Sequence, residues 1–130
     1  NFATGGDSFK LALYTAGSGS PYAATATAYS SGVANEVSSG GGSGYTTGGA
    51  ALASQAVVTG TGTATVDFAN LTFSSATFSA AYGVIYNDDK SDKLCVVLDF
   101  GGTKTATNGD FTIVFPDPST PSNAIISLTS

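Results

Sequence analysis

Apolar and polar positions alternate through most of this chain, in short runs broken by Gly, Pro, Asn and Asp. Phe9, Leu11 and Leu13 occupy every second position of the first run, the signature of a strand with one buried face. Residues 50–58 form a second run of small and aliphatic side chains. Beyond a Thr-Gly-Thr-Gly-Thr turn at 59–63, Ala64, Val66 and Phe68 alternate again, and segments 67–73 and 75–79 continue the pattern. The strongest block holds Tyr82-Gly83-Val84-Ile85-Tyr86, then Leu94-Cys95-Val96-Val97-Leu98, then Phe111-Thr112-Ile113-Val114-Phe115. Residues 94–98 are apolar at every position. That predicts a central strand covered on both faces, with 82–86 and 110–115 as its neighbours. Cys95 is then a small buried hydrophobe, and Gly101-Gly102 and Asn108-Gly109 punctuate the way to the third run. Ala124-Ile125-Ile126-Ser127-Leu128 supplies a last strand. Seven or eight strands and no helix predict an all-β, single-domain antiparallel β-sandwich over residues 1–130, with a jelly-roll or small barrel as the alternative.

One stretch resists this reading. Residues 22–49 have no period, many glycines, and only scattered large side chains, among them Tyr22, Tyr29, Val33, Val37 and Tyr45. Such a Gly-rich arm buries too little on its own to offset its ordering entropy, so a neighbouring subunit is expected to order it. Tyr22, Tyr29 and Tyr45 are its candidate subunit contacts, because tyrosine is apolar in body and polar at the tip. The expectation is a homo-oligomer or a lattice-bound subunit, with residues 22–49 as the main contact arm.

Composition narrows the chemistry. The chain has 17 Gly, a net charge of −5, no His, and only four cations, all lysine. Clustered cations for nucleic acid or anionic membranes are missing, and no apolar run reaches the length of a membrane-spanning helix. Without His, Ser-His-Asp and Cys-His catalysis are excluded, and one cysteine makes a poor zinc site. Asp67, Asp99 and Asp110 sit beside Phe at strand ends, where turn chemistry explains them better than paired-carboxylate catalysis does. The turn Asn87-Asp88-Asp89-Lys90-Ser91-Asp92 offers oxygen ligands, yet it lacks an EF-type glycine and carries Lys90, with Lys93 following, so it reads as a solvated turn and not as a calcium loop. Gly101-Gly102-Thr103-Lys104 precedes a strand where a phosphate loop requires a helix. No catalytic, cofactor-binding or metal residues are expected. Asn1 is not an initiator methionine, which points to an upstream segment.

Six short strings in order complete the picture: Asp7-Ser8-Phe9-Lys10-Leu11-Ala12-Leu13-Tyr14, Asn35-Glu36-Val37, Gly44-Tyr45-Thr46-Thr47-Gly48-Gly49, Val84-Ile85-Tyr86-Asn87, Val97-Leu98-Asp99-Phe100-Gly101-Gly102, and Asn108-Gly109-Asp110-Phe111-Thr112-Ile113. Together, from Asp7 to Leu128, they resemble a family of small virion structural proteins of tailed bacteriophages. Members carry a further segment before the first of these strands. The glycines at 40–42 depart from the family pattern. The resemblance implies a virion component without enzymatic activity, capsid decoration or tail-associated, whose partners are copies of itself and other virion proteins.

Overall fold

A computed structural model describes residues 1–17, 19–31, 33–120 and 124–129. Ser18 and Gly32, and Pro121 in the expected break before the last strand, lie outside that set. Among the described residues seven strands run β1 (Phe9–Tyr14), β2 (Ala50–Ala51), β3 (Ala56–Gly60), β4 (Thr63–Asp67), β5 (Leu71–Asn87), β6 (Lys93–Ile113) and β7 (Ile126–Thr129). They form two antiparallel sheets, four-stranded in the order β2-β1-β5-β6 and three-stranded in the order β3-β4-β7. The architecture is all-β and sandwich-like, as the alternation predicts.

The arrangement inside the larger sheet differs from the expected one. Residues 94–100 do pair with 82–86, from Tyr86↔Leu94 to Tyr82↔Asp99, but they lie on an edge strand. Residues 110–113 are not a third strand. They continue β6 and pair with the start of β5, as in Leu71↔Ile113 and Phe73↔Phe111. The glycines that read as turns are kinks inside one long strand. Gly101 (φ 68°) and Gly102 (φ 127°) adopt a left-handed backbone that side chains disfavour, and the register jumps there, from Tyr82↔Asp99 to Ala80↔Lys104. Asn108 (φ 49°) marks another irregularity.

Cys95 corrects a second expectation: it is exposed, at a register shift opposite Ile85 and Tyr86. The apolar run around it alternates after all. Leu94, Val96, Leu98 and Phe100 are half-buried, and Val97 between them is 37% exposed. The predicted strand 50–58 is likewise split. Ser54 (φ 55°) turns the chain, sending β2 to one sheet and β3 to the other.

The doubly covered strands are β1 and the second half of β5. Leu11, Leu13 and Ile85 face one core with Phe9, Phe68, Phe73, Phe111 and Phe115, all buried. Ala12, Tyr14, Val84 and Tyr86 face a smaller core on the other side. Val66 and Ile125, from the smaller sheet and its approach, pack against the first core.

Stability should follow this corrected order. Leu13→Ala, fully buried on β1, is expected to cost about 2–5 kcal/mol in urea unfolding. Val97→Ala, one residue from the apolar run's centre but facing outward, should cost under about 1 kcal/mol. Equal losses would refute the edge position of β6.

Candidate functional site

A polar cluster fastens residues 22–49 to β1 and β5, with Tyr22, Tyr29 and Val33 on the smaller core and Val37 and Tyr45 in the larger one. Its centre is Glu36, the chain's single glutamate. Glu36 Oε1 accepts hydrogen bonds from the Tyr45 hydroxyl (2.8 Å) and the Gly48 amide (2.7 Å), and Oε2 accepts one from the Tyr29 hydroxyl (3.1 Å). Three donors to one carboxylate are short, charge-assisted contacts of the stronger kind. The Tyr45 hydroxyl also accepts from the Leu13 amide at 3.1 Å, tying the carboxylate to a buried strand. Tyr86 on β5 donates to the Gly48 carbonyl (2.7 Å) and stacks on Tyr29 with ring centroids 4.5 Å apart.

Backbone contacts lock the same region. Val37 N donates to Leu13 O, Thr15 N donates to Asn35 O, and Glu36 bridges Tyr14 beside β1. Gly49 (φ 79°) passes so close to β1 that a Cβ there would run into the Leu11 carbonyl. Farther along, the Tyr22 hydroxyl lies 3.1 Å from that of Tyr14 and accepts from the Ser30 amide, also at 3.1 Å.

The three tyrosines named from sequence all turn inward but to two sides of the sheet, Tyr45 into the larger core and Tyr22 and Tyr29 onto the smaller one. Tyr22 and Tyr45 are buried, Tyr45 to 4% exposure, and Tyr29 is half-buried against Tyr86. The arm is packed within its own chain, which leaves Tyr22 and Tyr45 little surface for a neighbour. Glu36 was not singled out as a site residue. The signal was present: one glutamate in a charge-poor, tyrosine-rich stretch needs donors, and tyrosine hydroxyls and glycine amides supply them.

Burial holds the Tyr45 and Tyr29 hydroxyls well above the ordinary phenol range, and the Glu36 carboxylate beside them adds to the effect. Tyr86 is raised by burial and by Asp88 and Asp92, and Tyr14 by burial and its bond to Tyr22. These phenols are hydrogen-bond donors throughout the neutral range. Beside the cluster, Asn35, Glu36, Ser38, Ser39 and Thr47 line an open crevice of about 330 Å³, rich in hydroxyl and amide groups.

The acidic turn engages its residues separately, two through carboxylates and Asp92 through its backbone. Asp88 pairs with Lys10 (2.9 Å), Asp89 accepts from the Ser8 amide (2.6 Å), and the Asp92 carbonyl accepts from Tyr29 N. Asn87 donates to Asp7 at 2.9 Å. Among the described residues no three acidic, His or Cys side chains converge as metal ligands.

Two measurements test the cluster. Tyr45→Phe leaves the buried Leu13 amide and one Glu36 oxygen short of a partner, so urea unfolding should show a loss of about 1–3 kcal/mol. The raised phenols set a sign for pH. Their stabilisation is complete below the unfolded tyrosine pKa of about 10, and is lost as pH climbs above it toward the higher folded values. Tyrosinate absorbance from Tyr14, Tyr29, Tyr45 and Tyr86 should thus appear only together with loss of the circular dichroism of the fold. Ionisation of all of them well before unfolding would contradict the geometry.

No protein-family model, curated protein or solved structure matches this chain, and its function rests on its own residues.

Proposed function

We propose that this chain is a non-enzymatic structural subunit of a tailed-phage virion, a decoration protein on the capsid surface. The observation that carries the reading is where the six family-like strings fall. Asp7 to Tyr14 becomes β1 with its approach, Val84 to Asn87 lies in β5, and the last two strings lie in β6. The remaining two hold Glu36, Tyr45, Gly48 and Gly49, the joints that fasten the arm to β1. The residues that resemble a structural family are the ones that build the scaffold, and their polar groups are engaged in holding it. A low-charge surface with broad strands suits a subunit repeated over a shell.

The second reading is a tail-associated module that binds a receptor or a carbohydrate. The crevice at Asn35, Ser38, Ser39 and Thr47 favours it, since hydroxyl and amide groups beside a carboxylate suit sugar hydroxyls.

Copy number separates the two. Gel densitometry of purified particles is expected to give hundreds of copies per virion, and recombinant protein should bind capsids that lack it. A handful of copies, or selective binding of the isolated chain on a glycan array, would overturn decoration in favour of the tail module.

A further inference from the structure

Asn108 and Gly109 are the one Asn-Gly pair in the chain, and the ladder is broken on both sides of them. On β5, Ser74 and Ser75 stand against Asp110 alone, between the pairs Phe73↔Phe111 and Ala76↔Gly109. On β6, Thr107 and Asn108 stand against Thr77 alone, between Ala76↔Gly109 and Phe78↔Ala106. A bulge on each strand in succession leaves Ala76↔Gly109 as a lone pairing between two register shifts. Ser75 (φ 53°) and Asn108 (φ 49°) both take the left-handed backbone. The Asn108 amide donates to the Thr77 hydroxyl at 3.0 Å in place of a backbone carbonyl. Backbone held at so few points opens locally at little cost.

The Asn108 side chain is exposed, and its carboxamide has no hydrogen-bond partner among the described residues. Other asparagines are held. Asn1 Oδ1 accepts from the Ala3 amide, and Asn70 Oδ1 from the Phe115 amide at 3.0 Å. Asn87 donates to Asp7 and accepts from the Asp89 amide. The residues that follow asparagine elsewhere among the described residues are Phe2, Glu36, Leu71 and Asp88, each with a side chain beside its own nitrogen. Gly109 has none, so its nitrogen is unshielded.

We propose that Asn108 is a site of spontaneous deamidation. The Gly109 amide nitrogen gives up its proton to solvent base and attacks Cγ of Asn108. The N–Cγ bond forms, the Cγ–Nδ2 bond breaks, and the side-chain nitrogen leaves as ammonia after taking a proton from water. The cyclic imide that results adds one water at either carbonyl and opens to aspartate or isoaspartate. Water is the only co-reactant. Either product carries one negative charge more than the chain's net −5 and places it close to Asp110. Their effects on the backbone differ. Aspartate keeps the chain path and tolerates the left-handed conformation as asparagine does. Isoaspartate routes the main chain through the side-chain methylene, lengthening β6 just before Phe111, whose ring is buried in the larger core. The change is one-way and accumulates with the age of the folded chain. It needs only this chain and water, so it stands apart from the virion reading, which copy number tests.

The test incubates the folded full chain in mildly alkaline buffer and follows its peptides by mass spectrometry. The peptide holding Asn108 should become heavier by about 1 Da and divide into two isomers, about tenfold faster than those holding Asn70 or Asn87 change. Gly109→Ala is the deciding variant. A Cβ there meets only the Thr107 carbonyl oxygen, at 3.8 Å, so the fold and its circular dichroism should be unchanged. The added methyl shields the attacking nitrogen and should slow the reaction by about tenfold. An Asn108 that outlasts Asn70 and Asn87 in the folded chain would overturn the proposal. So would a rate unmoved by Gly109→Ala, or a reaction that starts only once urea has unfolded the chain.

Discussion

One hydroxyl group ties the arm to the sheet. Tyr45 places its phenol between the amide of Leu13 and the carboxylate of Glu36, a buried strand on one side and a loop on the other. β1 and β5 have apolar side chains on both faces, and the three-stranded sheet contributes to only one of those cores. The second face must be covered from elsewhere, and residues 22–33 do so with few aliphatic groups, while Val37 and Tyr45 of the same arm enter the first core. They succeed because tyrosine rings provide apolar area while their hydroxyls satisfy the polar groups carried inward with the loop. Among the described residues, no buried side-chain nitrogen or oxygen is left without a hydrogen-bond partner.

This arrangement also explains the scarcity of charge. A single carboxylate with three donors is tolerable under a loop, whereas a second one beside it would lack both donors and solvent. The remaining acidic residues sit at turns and edges, several of them paired with lysine or with backbone amides. The polar chemistry of the chain is devoted to joining segments, and the surfaces it leaves open are the β6 edge and the hydroxyl-lined crevice.

How far the fold was legible depended on which force set each feature. Alternation of Phe9, Leu11 and Leu13 located β1 but implied one buried face, whereas Ala12 and Tyr14 on the other face are buried too, a face that small and polar-tipped side chains disguise. It failed at β6. A run of apolar residues looks the same on an edge strand as in a central one when a register shift at Cys95 moves Leu94 to the opposite core from Val96. Glycine pairs announce a positive φ, but whether the chain then reverses or carries on is decided by the partner strand, which has no local signature. The arm was harder still. Its order comes from hydrogen bonds between residues 9 and 38 positions apart, Tyr45 with Glu36 and Tyr86 with Gly48. Propensity and pattern do not register such pairs.

The spacing of strand partners along the chain has a consequence for how the molecule assembles itself in time. β5 and β6 meet across a turn of a few residues, so that hairpin can form early and locally. β1 must wait for β5, its partners being separated by pairs such as Leu13↔Gly83. β4 waits longer, because Val66 pairs with Ile126 close to the end of the described chain. During synthesis the smaller sheet therefore remains one strand short until almost all of these residues have emerged. A topology with such distant pairings folds slowly, and until β7 arrives the open edge of β4 stays exposed to other chains.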